Sequence, residues 1–174
     1  MKKVEHGKTF DRNAANPPAF EIFHNTVTEG YPEHWHTAIE IIMPTRGEYE
    51  VVVGKDSYNL KEGDIIMINS GVVHGMRFVS QGERIVMLVE PGCVENQEEM
   101  ETIFLRLPAI YFKKEDEEDP FYLFLRSQIL ELVREYDNEG AVMTHRICTG
   151  LKELFSEFGR KGFSDANAQN TFGA

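Results

Sequence analysis

The chain has 174 residues, enough for one ordinary domain with a core, or one domain and an appendage. Hydrophobic residues make up 41% and charged residues 27%, a balance that excludes disordered, fibrous and membrane-embedded classes. The formal net charge of −11 argues against nucleic-acid binding by these residues, because phosphate contacts need a basic face.

At the N-terminus, "MKKVEHGKTF" opens with two lysines that no apolar segment follows, so it does not read as a signal peptide, and a cytoplasmic location is expected. Residues 1–17 are polar, with "NAANPP" ahead of the first periodic segment, and read as a loosely held arm. Residues 18–92 form the β zone. The segments "FEIFHNTV", "HTAIEIIM", "GEYEVVVG", "DSYNL", "DIIMINS", "VVHGMRFV" and "RIVMLVE" are short and rich in branched and aromatic residues, with Gly, Asn, Asp or Pro between them. "VVVGKDSYNL" predicts a hairpin turning at Gly54-Lys55-Asp56. Short strands with tight turns indicate a mainly β sandwich or barrel.

Beyond Pro91 the period becomes helical, and residues 93–160 are expected to form a helical segment. "ENQEEMETIFLRL" is a first short helix. Asp119-Pro120 then supplies an N-cap and a first-turn proline for a long helix ending at Gly140. Its stripe is Tyr122, Leu125, Ile129, Leu132, Val133 and Tyr136. A second helix, "AVMTHRICTGLKELFSEF", carries Met143, Ile147, Leu151, Leu154, Phe155 and Phe158. The short "DNEG" link makes the two an antiparallel hairpin. These stripes either pack on the barrel and each other or leave a face for a partner chain. Residues 161–174 are small and polar, as a linker would be. The two cysteines, Cys93 and Cys148, have no metal-ligand spacing and read as ordinary reduced thiols.

The chemistry concentrates in "HWHTAIEIIMPTRG". If 34–43 is one strand, His34, His36, Ala38, Glu40 and Ile42 share a face, opposite Trp35, Thr37 and Ile39. Two imidazoles and a carboxylate then sit together, and a divalent first-row metal would want one more protein ligand. Of the remaining histidines, His74 in "NSGVVHG" is the natural fourth; His6 and His145 read as surface residues and His24 as part of the first strand. The alternative is that the same polar groups hydrogen-bond each other and line a water-filled mouth. Alternation also points Tyr49, Val51, Val53, Met76 and Phe78 inward, where they line either a pocket or a core. Tyr49, Met76 and Phe78 are taken with the four polar residues as the ligand-binding set.

These residues carry a resemblance. "HWHTAIEIIMPTRG" matches the first cupin motif, H-x-H-x3-E-x6-G, through His34, His36, Glu40 and Gly47. "GDIIMINSGVVHGMRF" resembles the second, G-x5-P-x-G-x2-H-x3-N, through Gly63, Gly71 and His74. Asn69 replaces the motif's proline, Phe78 its final asparagine, and Thr28 the glycine expected ahead of the histidine pair. The resemblance implies a cupin barrel, a double-stranded β-helix, whose metal ligands would be His34, His36, Glu40 and His74. Zinc or nickel is expected in a purified sample, with iron and manganese as alternatives.

Over residues 19–160 the chain further resembles the N-terminal effector-binding and dimerisation domain of AraC-type transcription regulators. That implies a sensor for a small sugar or carboxylate, dimerising through the C-terminal helices. DNA would be bound only through a C-terminal region, of which this chain contains none. The competing expectation is a stand-alone metal-dependent cupin enzyme of dioxygenase or isomerase type. No catalytic acid–base pair is evident beside the metal ligands, so the non-enzymatic reading leads.

Overall fold

The computed structural model describes residues 19–26, 30–93, 108–116, 118–138 and 140–161. The expected arm, the first short helix and the tail beyond Lys161 lie outside them. Among the described residues, nine strands run in chain order as β1 (Phe20–Asn25), β2 (Tyr31–His34), β3 (Ile39–Arg46), β4 (Tyr49–Val53), β5 (Asp56–Leu60), β6 (Ile65–Ile68), β7 (His74–Phe78), β8 (Glu83–Val89) and β9 (Ala109–Phe112). Two long helices follow, α1 (Pro120–Asp137) and α2 (Met143–Lys161). The strands form two antiparallel sheets, one in the order β1-β8-β3-β6-β9 and one in the order β2-β7-β4-β5.

The five-stranded sheet is covered on both faces, and its sequence shows it. "IEIIM", "IIMI" and "RIVMLV" are near-continuous apolar runs, as strands buried on two sides must be. Ile41, Met67 and Met87 face the helices, while Ile42, Ile66 and Ile68 face the second sheet. The four-stranded sheet alternates instead: Tyr49, Val51 and Val53 are buried, and Glu50 and Val52 less so. β4 turns into β5 through Gly54-Lys55, with Val53 opposite Asp56, which is the hairpin read from the sequence.

Both helical stripes pack on the outer face of the five-stranded sheet. Tyr122, Leu125, Ile129 and Leu132 of α1 and Ile147, Leu151, Leu154, Phe155 and Phe158 of α2 are buried in one cluster with that sheet. Burying each such side chain is worth about 1.5–3 kcal/mol, so the hairpin is bound to the barrel by its apolar face. Asp119 caps α1 by accepting from the Phe121 amide at 2.8 Å, with Pro120 in the first turn. The Tyr122 hydroxyl donates to the Gly63 carbonyl at 2.8 Å, a polar tie between helix and barrel. Gly150 lets the helices approach: a Cβ there would meet Leu132 Cδ2 at 2.9 Å.

Two features depart from the sequence reading. Within the stretch 93–160, expected to be helical, Ala109–Phe112 forms β9 against β6, with Ile65 opposite Phe112. "AIYF" is apolar and aromatic enough to complete a sheet covered on both sides. Residues 34–43 are also not one strand: β2 ends at His34, and β3 begins at Ile39 in the other sheet. Among the described residues, no helix is long and apolar enough to cross a membrane.

Candidate metal centre

The break between β2 and β3 builds the site. His34 stays on β2 of the four-stranded sheet, where it pairs with His74 at the start of β7. Glu40 lies on β3 of the five-stranded sheet, between Ile68 and Leu88. His36 sits in the crossing segment, and its carbonyl accepts from the Gly71 amide at 2.9 Å. Gly71 has φ +73°, a left-handed conformation that other residues rarely adopt, so this motif glycine shapes the turn that holds His36 and leads to His74. Asn69 supports the same turn, its side chain accepting from the Ser70 amide at 2.8 Å. The expected single-strand face is therefore corrected, yet the four residues do converge, because two sheets close over one another at this point.

Donor atoms of His34, His36, Glu40 and His74 all lie within 4.8 Å of one another. His36, Glu40 and His74 are buried, and His34 is exposed at the rim. Each imidazole commits its Nδ1 to a backbone carbonyl: His34 to Pro32 at 2.9 Å, His36 to Ala38 at 2.9 Å, and His74 to Val72 at 2.8 Å. A carbonyl only accepts, so each Nδ1 carries the proton, and Nε2 is left as the ring's free position. The Nε2 atoms of His36 and His74 each stand 2.9 Å from the same oxygen, Glu40 Oε2.

This arrangement has an electrostatic consequence. A neutral ring protonated at Nδ1 would turn a lone pair toward the carboxylate, so each contact requires a cation: a proton on Nε2 or a metal ion. Burial works to raise the Glu40 carboxyl, but the hydrogen bonds and charges of His36 and His74 hold it far below the usual carboxylate range. Burial likewise works against the charged form of His74, yet Glu40 raises its pKa above the ordinary value. His34 is lowered, first by burial and then by the neighbouring His74 and His36. The donor set of three imidazoles, oriented by backbone carbonyls, and one carboxylate fits a divalent first-row metal ion.

The remaining sequence-predicted residues fall elsewhere. Tyr49, Val51, Val53 and Met76 are buried on the inner face, as alternation predicts. Phe78 is paired with Tyr49, four residues along β7 from His74 and about 13 Å away at the usual strand rise, and is 38% exposed. Neither Tyr49 nor Phe78 reaches the quartet. His24 lies 3.7 Å from Glu83, and His145 is exposed. A groove of about 450 Å³ along β2 and β7, touching Tyr31, Val52, Gly75 and Arg77, contains none of the four donors. The convergent donors define the site better than this groove does.

Sequence reasoning missed Arg84. It is fully buried on the inner face of β8, in register with Asn25 and on the same face as Val86 and Leu88. Its guanidinium carbon lies 4.8 Å from the Tyr49 ring centroid and 5.7 Å from that of Tyr31. The Tyr31 ring is in turn 6.5 Å from His34, so Tyr31 neighbours both one member of the quartet and the arginine. The Tyr49 hydroxyl is buried with no hydrogen-bond partner among the described residues. The signal was present in "ERIVMLVE", where strict alternation puts a charge on the same face as two apolar residues.

With the barrel and the quartet in view, comparison with known proteins gives a consistent answer. Residues 25–90 match the family model described as a cupin domain. The barrel has the cupin fold. The cupin motif positions His34, His36, Glu40, Gly47, Gly63, Gly71 and His74 all lie inside the matched span. Apo ToxT from Vibrio cholerae is similar over 84% of this chain and 58% of its own, at 10% identity and a TM-score of 0.52. A match of that extent reaches past the barrel into the helical part. A conserved protein of unknown function from Streptococcus pyogenes is 17% identical over 52% of this chain and 94% of its own, with a TM-score of 0.41. Oxalate decarboxylase from Bacillus subtilis, described with Mn(II) centres, is 19% identical over 40% of this chain and 20% of its own, with a TM-score of 0.35. No curated protein matches the chain in sequence.

Proposed function

We propose that this chain is the sensing part of an AraC-type transcription regulator, acting in the cytoplasm. The observation that supports the reading is the extent of the ToxT likeness, 84% of this chain, which is more than the barrel alone occupies; the motif resemblance to AraC-type sensors implies a barrel followed by helices. DNA would be contacted by a further region C-terminal to these residues, since a net charge of −11 repels phosphates. The hairpin would pair with a second copy through the outer side of α1, where Leu123 is 49% and Leu130 38% exposed one heptad apart.

In this reading His34, His36, Glu40 and His74 hold a divalent ion, most readily zinc or nickel in a purified sample. When bound, the ion supplies a Lewis-acid anchor for an oxygen of the effector. Glu40 offsets part of the ionic charge, and the three backbone carbonyls keep the imidazoles aimed. The Tyr31 ring neighbours His34 and the Arg84 guanidinium neighbours Tyr31, and a guanidinium this near the site would favour a carboxylate over a neutral sugar. An effector shifts the regulator only through different affinities for two arrangements of barrel and hairpin.

The test is metal content per chain by plasma mass spectrometry, beside a His36→Ala/His74→Ala variant, followed by thermal-shift screening of small carboxylates and sugars on zinc-loaded protein. About one transition metal per chain in the wild type only, with carboxylates raising Tm, is the expected result. No metal after incubation with zinc or nickel, together with no thermal shift from either ligand class, would overturn the proposal. The full donor set also favours a second reading, a metal-dependent enzyme. Turnover by metal-loaded protein that is lost in folded His74→Ala would move the assignment there.

A further inference from the structure

We propose that Cys93 and Cys148 are a redox-switchable pair whose disulfide pins the helical hairpin to the end of β8. The sequence reads them as unrelated thiols 55 positions apart, but their sulfurs lie 3.6 Å from each other. Cys93 ends the 3₁₀ turn Pro91–Cys93 directly after β8, its amide bonded to the Glu90 carbonyl at 2.9 Å. Cys148 lies on α2 beside the fully buried Ile147. Each sulfur is thus carried by an anchored backbone. A disulfide bond is about 2.05 Å long, so closing it asks for roughly 1.5 Å of relative approach, within the reach of side-chain rotation.

Both cysteines are free and only partly buried, so a small oxidant can reach them. Burial, then the hydrogen bond and charge of Cys148, push the Cys93 thiol up to about 11. With hydrogen peroxide as oxidant, one of the two sulfurs attacks a peroxide oxygen as its thiolate, the O–O bond breaks, and the departing hydroxide takes up a proton as water. That cysteine is then a sulfenic acid. The other sulfur, 3.6 Å away, attacks it, the S–O bond breaks, and a second water leaves with that thiol's proton. Two thiols lose two electrons and two protons, and one peroxide becomes two waters.

The bond would tie two units now held by side-chain packing. On one side is β8, whose Leu88 pairs with Glu40 of the quartet. On the other is α2, the last helix of the hairpin. Oxidation would therefore restrict movement of the hairpin against the strand beside the site. This inference stands on the two sulfurs alone and does not depend on the sensing reading.

The test is intact mass and free-thiol count after treating the native chain with a few equivalents of hydrogen peroxide, with peptide mapping under non-reducing conditions. The expected result is a loss of about 2 Da and of both thiols. A Cys93–Cys148 peptide should appear, and an upward Tm shift of roughly 10 °C should be reversed by dithiothreitol. Cys93→Ser and Cys148→Ser should each retain one titratable thiol and show no such shift. Two thiols persisting under peroxide, or oxidation of one cysteine to sulfinic acid without a cross-link, would overturn the proposal. The mass of the wild-type chain decides the matter even if a variant fails to fold.

Discussion

The two sheets of this barrel are built from similar residues but carry different duties. The five-stranded sheet is covered by the hairpin on one side and the second sheet on the other, and its strands are apolar on both faces. The four-stranded sheet has one covered face, and its other face carries exposed pairs such as Arg77 with Glu50 at 3.3 Å. Stability therefore concentrates in the first sheet and the helices. The second sheet is freer to place polar groups, and it supplies His34 and His74. A single carboxylate from the stable side, Glu40, meets two imidazoles from the adaptable side, with His36 in the crossing between them.

Core truncation gives the strongest test of that contrast. Leu151→Ala, in the cluster between hairpin and five-stranded sheet, should cost about 2–5 kcal/mol in urea unfolding. Val52→Ala, on the outer face of the other sheet, should cost about 0.5 kcal/mol. Equal losses would erase the distinction. Next in size is zinc affinity, which requires three unprotonated imidazoles. Calorimetry should show at least about a tenfold weakening per pH unit below pH 6, where protons compete for the same Nε2 atoms.

The metal-free protein tests the coupling between sheets more finely. His74 has a raised pKa, so its contribution to stability is full below the ordinary value of 6.5 and is lost as pH rises through the folded value. Glu40 has a lowered pKa, so its contribution is present above the ordinary 4.5 and is lost as pH falls toward the folded value. These two together favour mildly acidic pH, while His34, lowered by burial, acts in the opposite sense below 6.5. Glu40→Gln should bring the His74 titration down, read from its ring proton by NMR; an unmoved titration would show that the sheets are not electrostatically joined here. The smallest effect belongs to the helix cap. Asp119→Ala should cost about 1 kcal/mol, measured by the same urea series.

Much of this architecture is legible in the residues. Strands with branched side chains and glycine turns were readable, as were both helical stripes, because periodicity records burial directly. Three histidines and a glutamate at motif spacing pointed to the site. β2 was not readable: "YPEH" is four residues, all exposed, with a proline, so no alternation marks it. β9 is equally short and lies in a stretch dominated by helical pattern. The sheet change at residues 35–38 escaped notice because His34 and Glu40 keep the parity of a single strand while belonging to two. Arg84 and the cysteine pair depend on contacts distant in sequence, which local pattern does not encode.

The chain distance between ligands has a consequence for how the molecule comes together. Glu40 and His74 are 34 residues apart and meet only when both sheets have docked, at a point where the Gly71 amide already holds the His36 carbonyl. An ion cannot gather these donors from a half-formed barrel, so its capture would mark the end of folding rather than its start. In a refolding experiment, the appearance of bound metal would count molecules with the correct topology, a clock set by the slowest long-range pairing in the chain.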